Sequence, residues 1–179
     1  MMSRKKGSGM ANLIVYYSRK GENYWAGGIK NLAKGNTERV AEFIQKTVGG
    51  DLFQVETVKE YAKDYYQCIE EAKDELRAKA RPELKAYLDS IDEYDNVFVC
   101  GPCWWGTFPM AVFSQLDRLD FSGKKVMAVM THEGSGLSSC ERDLKKLCTG
   151  ATLGKGLAVA GHSCANSESQ VAAWAKSQI

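Results

Sequence analysis

The sequence predicts an α/β fold, a parallel sheet covered by helices on both faces. Two observations carry this. Five short strand-like runs alternate along the chain with stretches of helical period, and three of those runs are continuous apolar segments of the kind buried on both sides. A chain of 179 residues can bury one core of this kind. Neither an internal repeat nor a composition break marks a second domain.

The elements follow in order. Asn12 to Tyr17 is a β-branched, apolar first strand. Asn36 to Val48 places Val40, Phe43, Ile44 and Thr47 at helical spacing, and Gly49-Gly50 stops it. Asp51 to Glu56 alternates as a strand does. Asp64 to Lys79 is a charged amphipathic helix with Pro82 just beyond its end. Asn96 to Cys100 is a strand buried on both faces, and Met110 to Leu119 is a helix after Pro109, a residue suited to a first helical turn. Lys124 to Met130 is a strand, Ser138 to Leu147 a helix, Leu157 to Ala160 the fifth strand and Gln170 to Lys176 a closing helix.

Composition narrows the function classes. The formal charge is +2, too small to argue for nucleic acid or an anionic membrane surface. Arg4, Lys5 and Lys6 account for more than that total, so the chain after residue 9 carries −1. The opening MMSRKKGSG reads as a flexible leader or expression scar rather than a functional basic arm, which leaves 10–179 as a single domain. No run approaches the roughly 18 apolar residues of a membrane span, and the expected location is cytoplasmic. Cys68, Cys100, Cys103, Cys140, Cys148 and Cys164 read as free thiols of a reducing compartment.

In folds of this kind ligands bind beyond the carboxyl ends of the strands, where strand order reverses. The first strand runs into Tyr17-Ser18-Arg19-Lys20-Gly21, and the next helix opens at Gly35-Asn36-Thr37. Those small polar residues either cap the helix or cradle a phosphate with its free N–H groups. The third strand ends in Gly101-Pro102-Cys103-Trp104-Trp105-Gly106-Thr107, where one of two adjacent Trp must be partly exposed, as suits a planar ring ligand. The fourth ends in Thr131-His132-Glu133-Gly134-Ser135-Gly136, a flexible turn or a close backbone approach to a ligand.

Taken together, these three loops, with Tyr61-x-x-x-Tyr65 through Arg81-Pro82-x-Leu84, resemble the flavodoxin family over essentially the whole chain from Asn12. The resemblance implies a flavodoxin-like, doubly wound five-stranded parallel sheet of order 2-1-3-4-5 that binds FMN non-covalently. It assigns Ser18, Asn36 and Thr37, with Lys20 in the same loop, to the phosphate. Pro102, Cys103, Trp104, Trp105, Gly106 and Thr107 would lie along the flavin ring. Thr131, Gly134, Ser135 and Gly136 would close its other side and the ribityl chain. It further implies a one-electron, low-potential carrier between a reductase and acceptor enzymes, as a monomer or homodimer. The alternative on the same fold is an NAD(P)H-dependent FMN oxidoreductase of quinone reductase type.

Two features depart from the family pattern. Residues 22–35 interrupt the phosphate loop, and their Asn23, Tyr24 and Trp25 suit either a lid or a solvated loop. Glu133 stands where glycine is common; beside a flavin it would either point away or lower the potential. Other motifs fail on spacing. Cys100-Gly101-Pro102-Cys103 is not followed by the helix that activates a thioredoxin-type thiol. Gly161-His162-Ser163-Cys164-Ala165 lacks the last Gly of a nucleophile elbow and any later His. With only His132 and His162 in the chain, a metal site is not expected.

Overall fold

The computed structural model describes residues 11–179; the basic leader lies outside the described residues. Strand β1 (Asn12–Tyr16) is followed by a hairpin of β2 (Gly21–Trp25) and β3 (Gly28–Leu32), then helix α1 (Asn36–Val48) and β4 (Asp51–Gln54). Helix α2 (Tyr65–Ala78), β5 (Asn96–Pro102), α3 (Met110–Leu116), β6 (Lys125–His132) and α4 (Cys140–Leu147) come next. Two short strands, β7 (Thr152–Leu153) and β8 (Leu157–Ala160), a 3-10 turn over Gly161–Asn166 and helix α5 (Glu168–Gln178) complete the chain.

The central sheet is parallel throughout. β1 pairs with β4 on one side and β5 on the other, β5 pairs with β6, and β6 pairs with both β7 and β8. β7 lies against Lys125 and Val126 and β8 against Val129 to His132, so together they fill the place of the expected fifth strand. The order is then the expected 2-1-3-4-5, with one edge strand broken in two. At the break, a Cβ on Gly154 would come within 2.7 Å of Gln178 Oε1 and 2.8 Å of Met127 Cγ, which favours glycine there.

Alternation along each central strand divides the core into two layers. Leu13, Val15, Val97, Val99, Val126, Ala128 and Met130 face α3 and α4, where Ala111, Val112, Leu116 and Leu144 meet them. Ile14, Phe98, Met127 and Val129 face α1 and α5, against Val40, Ile44, Val171 and Trp174. No described helix is long and apolar enough to cross a membrane.

Residues 22–35 form most of the β2–β3 hairpin rather than an irregular loop. Its two-residue turn, Ala26-Gly27, has both φ positive (46° and 93°), the twist that tight hairpins require. Ala26 adopts that conformation despite its Cβ. The hairpin is tied at its base: Arg19 donates to the carbonyls of Glu22, Ala62 and Lys63, and the Tyr65 N–H donates to Glu22 at 2.7 Å.

Candidate functional site

A cavity of about 260 Å³ opens at the carboxyl ends of β1, β5 and β6. Its lining includes Asn36, Thr37, Pro102, Cys103, Trp104, Trp105 and Thr131, seven of the residues assigned from the sequence. Thr37 and Thr131 bring their hydroxyls to 2.8 Å of each other. That contact closes the floor between the start of α1 and the end of β6.

The remaining assigned residues stand elsewhere. Ser18 and Lys20 border an adjoining groove among the loops after β1 and β4 and the base of the hairpin. Ser18 Oγ accepts the Glu38 N–H at 3.0 Å, which makes it a cap supplied from outside the helix. Thr107 is buried and donates to Asp143 at 2.6 Å. Gly106, whose φ is +89°, lies beside Ser138 and carries the carbonyl that the Ser139 N–H bonds at 2.8 Å. Gly134, Ser135 and Gly136 form a turn outside the wall, with the Gly134 N–H donating to His132 Nδ1 at 2.9 Å.

At the start of α1 the donors needed for an anion are present. The first N–H groups of any helix lack intrahelical acceptors. Ser18 takes that of Glu38, and the Gly35 carbonyl that of Arg39. Those of Asn36 and Thr37 have no acceptor among the described residues, and the N-terminal cap, Gly35, offers no side chain. Strand and helix approach so closely here that a Cβ on Gly35 would lie 2.0 Å from Ser18 Oγ and 2.8 Å from the Arg19 carbonyl. Glycine is required by this approach, since its φ of −65° suits any residue.

Facing this polar wall is an aromatic one. Trp104 meets Tyr17 and Tyr61 edge-on, with ring centroids at 5.1 and 4.9 Å. Tyr61 in turn donates to Glu75 at 2.9 Å. Burial pushes the pKa of both phenols well above the usual value, so they stay neutral. Burial also raises the pKa of Glu75, against the opposing pull of the Tyr61 hydroxyl. Trp105 is 46% exposed and holds a left-handed φ of 57°; its indole N–H donates to the Ile69 carbonyl at 2.7 Å and Lys73 lies over its ring. Through that bond the loop leans on α2.

Several lining residues were not assigned from the sequence. Tyr65, Ile69 and Ala72 come from α2, Asn23 and Tyr24 from the hairpin, and His132, Glu133 and Gly161 from the far rim. The α2 set follows helical spacing, so a shared face was visible, but what it faced was not. Tyr24 and Tyr65 bring their rings to 6.3 Å, so hairpin and helix meet over the cavity. Glu133 does not point away. It lines the cavity while its oxygens accept the His162 backbone N–H at 2.9 Å and pair with His162 Nδ1 at 2.8 Å.

All six cysteines are free thiols, and Cys100 lies wholly buried within β5, where burial pushes the thiol pKa up and suppresses the thiolate. Among the described residues no cluster suits a metal ion.

Comparison with known proteins agrees with this architecture. A solved structure of a candidate flavoprotein from Bacteroides uniformis ATCC 8492 is 28% identical, with a TM-score of 0.74 over 94% of this chain and 99% of the other. A flavoprotein of Lactobacillus acidophilus NCFM, solved in complex with FMN, is 21% identical at a TM-score of 0.62, covering 90% of this chain and 99% of that one. The flavodoxin of Streptococcus pneumoniae TIGR4 shares the fold at 17% identity and a TM-score of 0.51, over 94% and 99% of the two chains. No curated protein sequence matches the chain. The flavodoxin family model matches residues 30–178 and so spans the cavity lining except Arg19, Asn23 and Tyr24: this chain belongs to the flavodoxin family.

Proposed function

We propose that the chain binds FMN in this cavity and carries single electrons between a reductase and acceptor enzymes. The observation behind this reading is the pairing of two unlike walls. One holds free N–H groups at a helix start, and the other holds a cluster of aromatic rings. The donor set suits a phosphate monoester: two unclaimed N–H groups and the positive end of α1, with the Ser18 hydroxyl hydrogen still free to donate while its oxygen caps Glu38. The cavity volume is near the lower end of small-molecule sites, roughly 300–1,000 Å³. When bound, the flavin would supply the redox chemistry.

The chain's own residues then bind and orient. Trp104 is held by Tyr17 and Tyr61 and offers a rigid side to a ring, while Tyr24 and Tyr65 exclude water from above. The Trp105-Gly106 turn has both φ positive, so its central peptide can reorient at Gly106 without a Cβ clash and change which group it presents. Lys20 and the turn 134–136 would join the site only if the loops close further over the ligand.

The test is a titration of purified protein with FMN, followed by fluorescence quenching. Tight one-to-one uptake supports the reading, and no uptake overturns it. Anaerobic mixing of the loaded protein with NADPH then separates the functions. A carrier stays yellow until a reductase is added; rapid bleaching without one favours the NAD(P)H-dependent oxidoreductase.

A further inference from the structure

Among the described residues Arg19 is the one fixed cation in the cavity lining, where burial lowers the pKa of His132 and favours its neutral form. The Arg19 guanidinium is anchored on neutral groups alone. Its Nε donates to the Glu22 carbonyl at 2.9 Å, and its Nη2 donates to the carbonyls of Ala62 and Lys63 at 2.9 and 3.0 Å. Nη1 has no acceptor among the described residues, and no carboxylate among them pairs with Arg19. Glu22 gives its carboxylate to the Tyr65 N–H instead. The groups that feel the charge are Tyr17, Tyr65 and Cys68. Burial raises the pKa of each while Arg19 pulls it down, and all three stay neutral. A guanidinium is charged at any working pH, and one left without a counter-ion beside a cavity calls for an anion.

The start of α1 already offers two free N–H groups to an anion, and FMN brings only one phosphate. The Arg19 charge, beside Tyr17 and Tyr65, is left to face the ring. An oxidised flavin ring is neutral; taking up two electrons and one proton, it becomes an anion of single charge. We propose that Arg19 is the potential-setting residue of this cavity, its guanidinium favouring the reduced, anionic ring over the oxidised one. The inference rests on the FMN reading above. The electrons come from the reductase of that reading and the proton from solvent, and no bond to Arg19 forms or breaks. A fixed cation that attracts one state and not the other shifts the equilibrium by that difference alone. Glu133, on the far rim, works against it, but its oxygens accept the N–H groups of His162 and Ala26 at 2.9 and 3.4 Å, which offset its charge. Arg19 has no such compensation, so the balance of the lining tips toward the reduced ring.

The experiment loads wild type, Arg19→Gln and Arg19→Lys with FMN and measures occupancy by absorbance and affinity by fluorescence quenching. Each is then titrated anaerobically with dithionite against reference dyes, at slightly alkaline pH, to give the two-electron midpoint. Arg19→Gln removes charge and clamp together, whereas Arg19→Lys loses the fork that grips three carbonyls and keeps the charge. Arg19→Gln is expected to lower the preference for reduced over oxidised FMN at least about tenfold, the effect of one nearby opposite charge. That is a fall in midpoint of about 30 mV for a two-electron couple, and a smaller fall overturns the proposal. Arg19→Lys should fall less than half as far; a fall of half or more assigns the effect to the clamp and overturns the proposal. Wild type decides the matter should Arg19→Gln fail to fold. Its midpoint is expected at or above that of free FMN, and a midpoint below it overturns the proposal. Absence of FMN uptake by wild type removes this inference together with the FMN reading, whereas tight uptake with an unmoved midpoint in Arg19→Gln removes this inference alone.

Discussion

The two walls of the cavity are built on different principles. The polar wall comes from strand ends and the start of α1, elements locked by the parallel sheet, and its members are small: Asn36, Thr37, Thr131. The aromatic wall is assembled from the 102–107 loop, α2 and the hairpin, with residues far apart in sequence: Tyr24, Tyr65, Trp104 and Trp105. A phosphate needs short, fixed donors, which a rigid frame supplies. A planar ring needs area, which large side chains gathered from several segments supply. The division places stiffness under the charged end of the ligand and packing around its ring.

Substitutions can break that contrast, and the largest effect belongs to the aromatic wall. Trp104→Ala removes the ring that Tyr17 and Tyr61 pack against, and urea unfolding should show a loss of about 3 kcal/mol, the low end for Trp truncation because the ring is half-buried. FMN affinity should fall with it. In the polar wall, Gly35→Ala forces a Cβ into Ser18 Oγ and the Arg19 carbonyl. An overpacking cost of about 2 kcal/mol is expected, with weakened uptake of FMN. Uptake of riboflavin, which lacks the phosphate, should weaken less; equal loss of both would show that Gly35 does not serve the phosphate end.

Ser18→Ala should cost about 1 kcal/mol by removing the cap on Glu38, again with FMN affected more than riboflavin. The smallest effect concerns Glu75. Burial raises its pKa above that of the unfolded chain, so its neutral form is favoured on folding. Stability from this group is therefore full below the ordinary carboxylate range and is lost as pH rises through the raised value. Glu75→Gln should flatten this decline in thermal melts between acid and neutral pH. Tyr61→Phe should steepen it, because the Tyr61 hydroxyl stabilises the charged form. An unchanged slope in both would show that Glu75 is better solvated than its surroundings suggest.

The frame was legible because its signals are local. Ile14 and Phe98 face one layer and Leu13 and Val97 the other through simple alternation, which a strand's period of two imposes on any chain. The ends of α1 were legible from Asn36-Thr37 and Gly49-Gly50. The split edge strand was not, since its two halves pair with separate stretches of β6, Lys125-Val126 and Val129 to His132, and that pairing leaves no local signal. The hairpin was undecided for a related reason: Ala26-Gly27 is a weak turn signal, and pairing across Gly21–Leu32 supplies what it lacks.

By itself the sequence determined the doubly wound sheet, its two core layers, the loops that meet at its carboxyl edge and the family. Periodicity, caps and glycine stops act over a few residues and survive without knowledge of neighbours. Only the tertiary structure decided that α2 and the hairpin cover the cavity, that Ser18 caps α1 across the insertion and that Glu133 turns inward to His162. Those are contacts between segments 20 or more residues apart, and side-chain hydrogen bonds and ring packing leave no period in a chain for a reader to find.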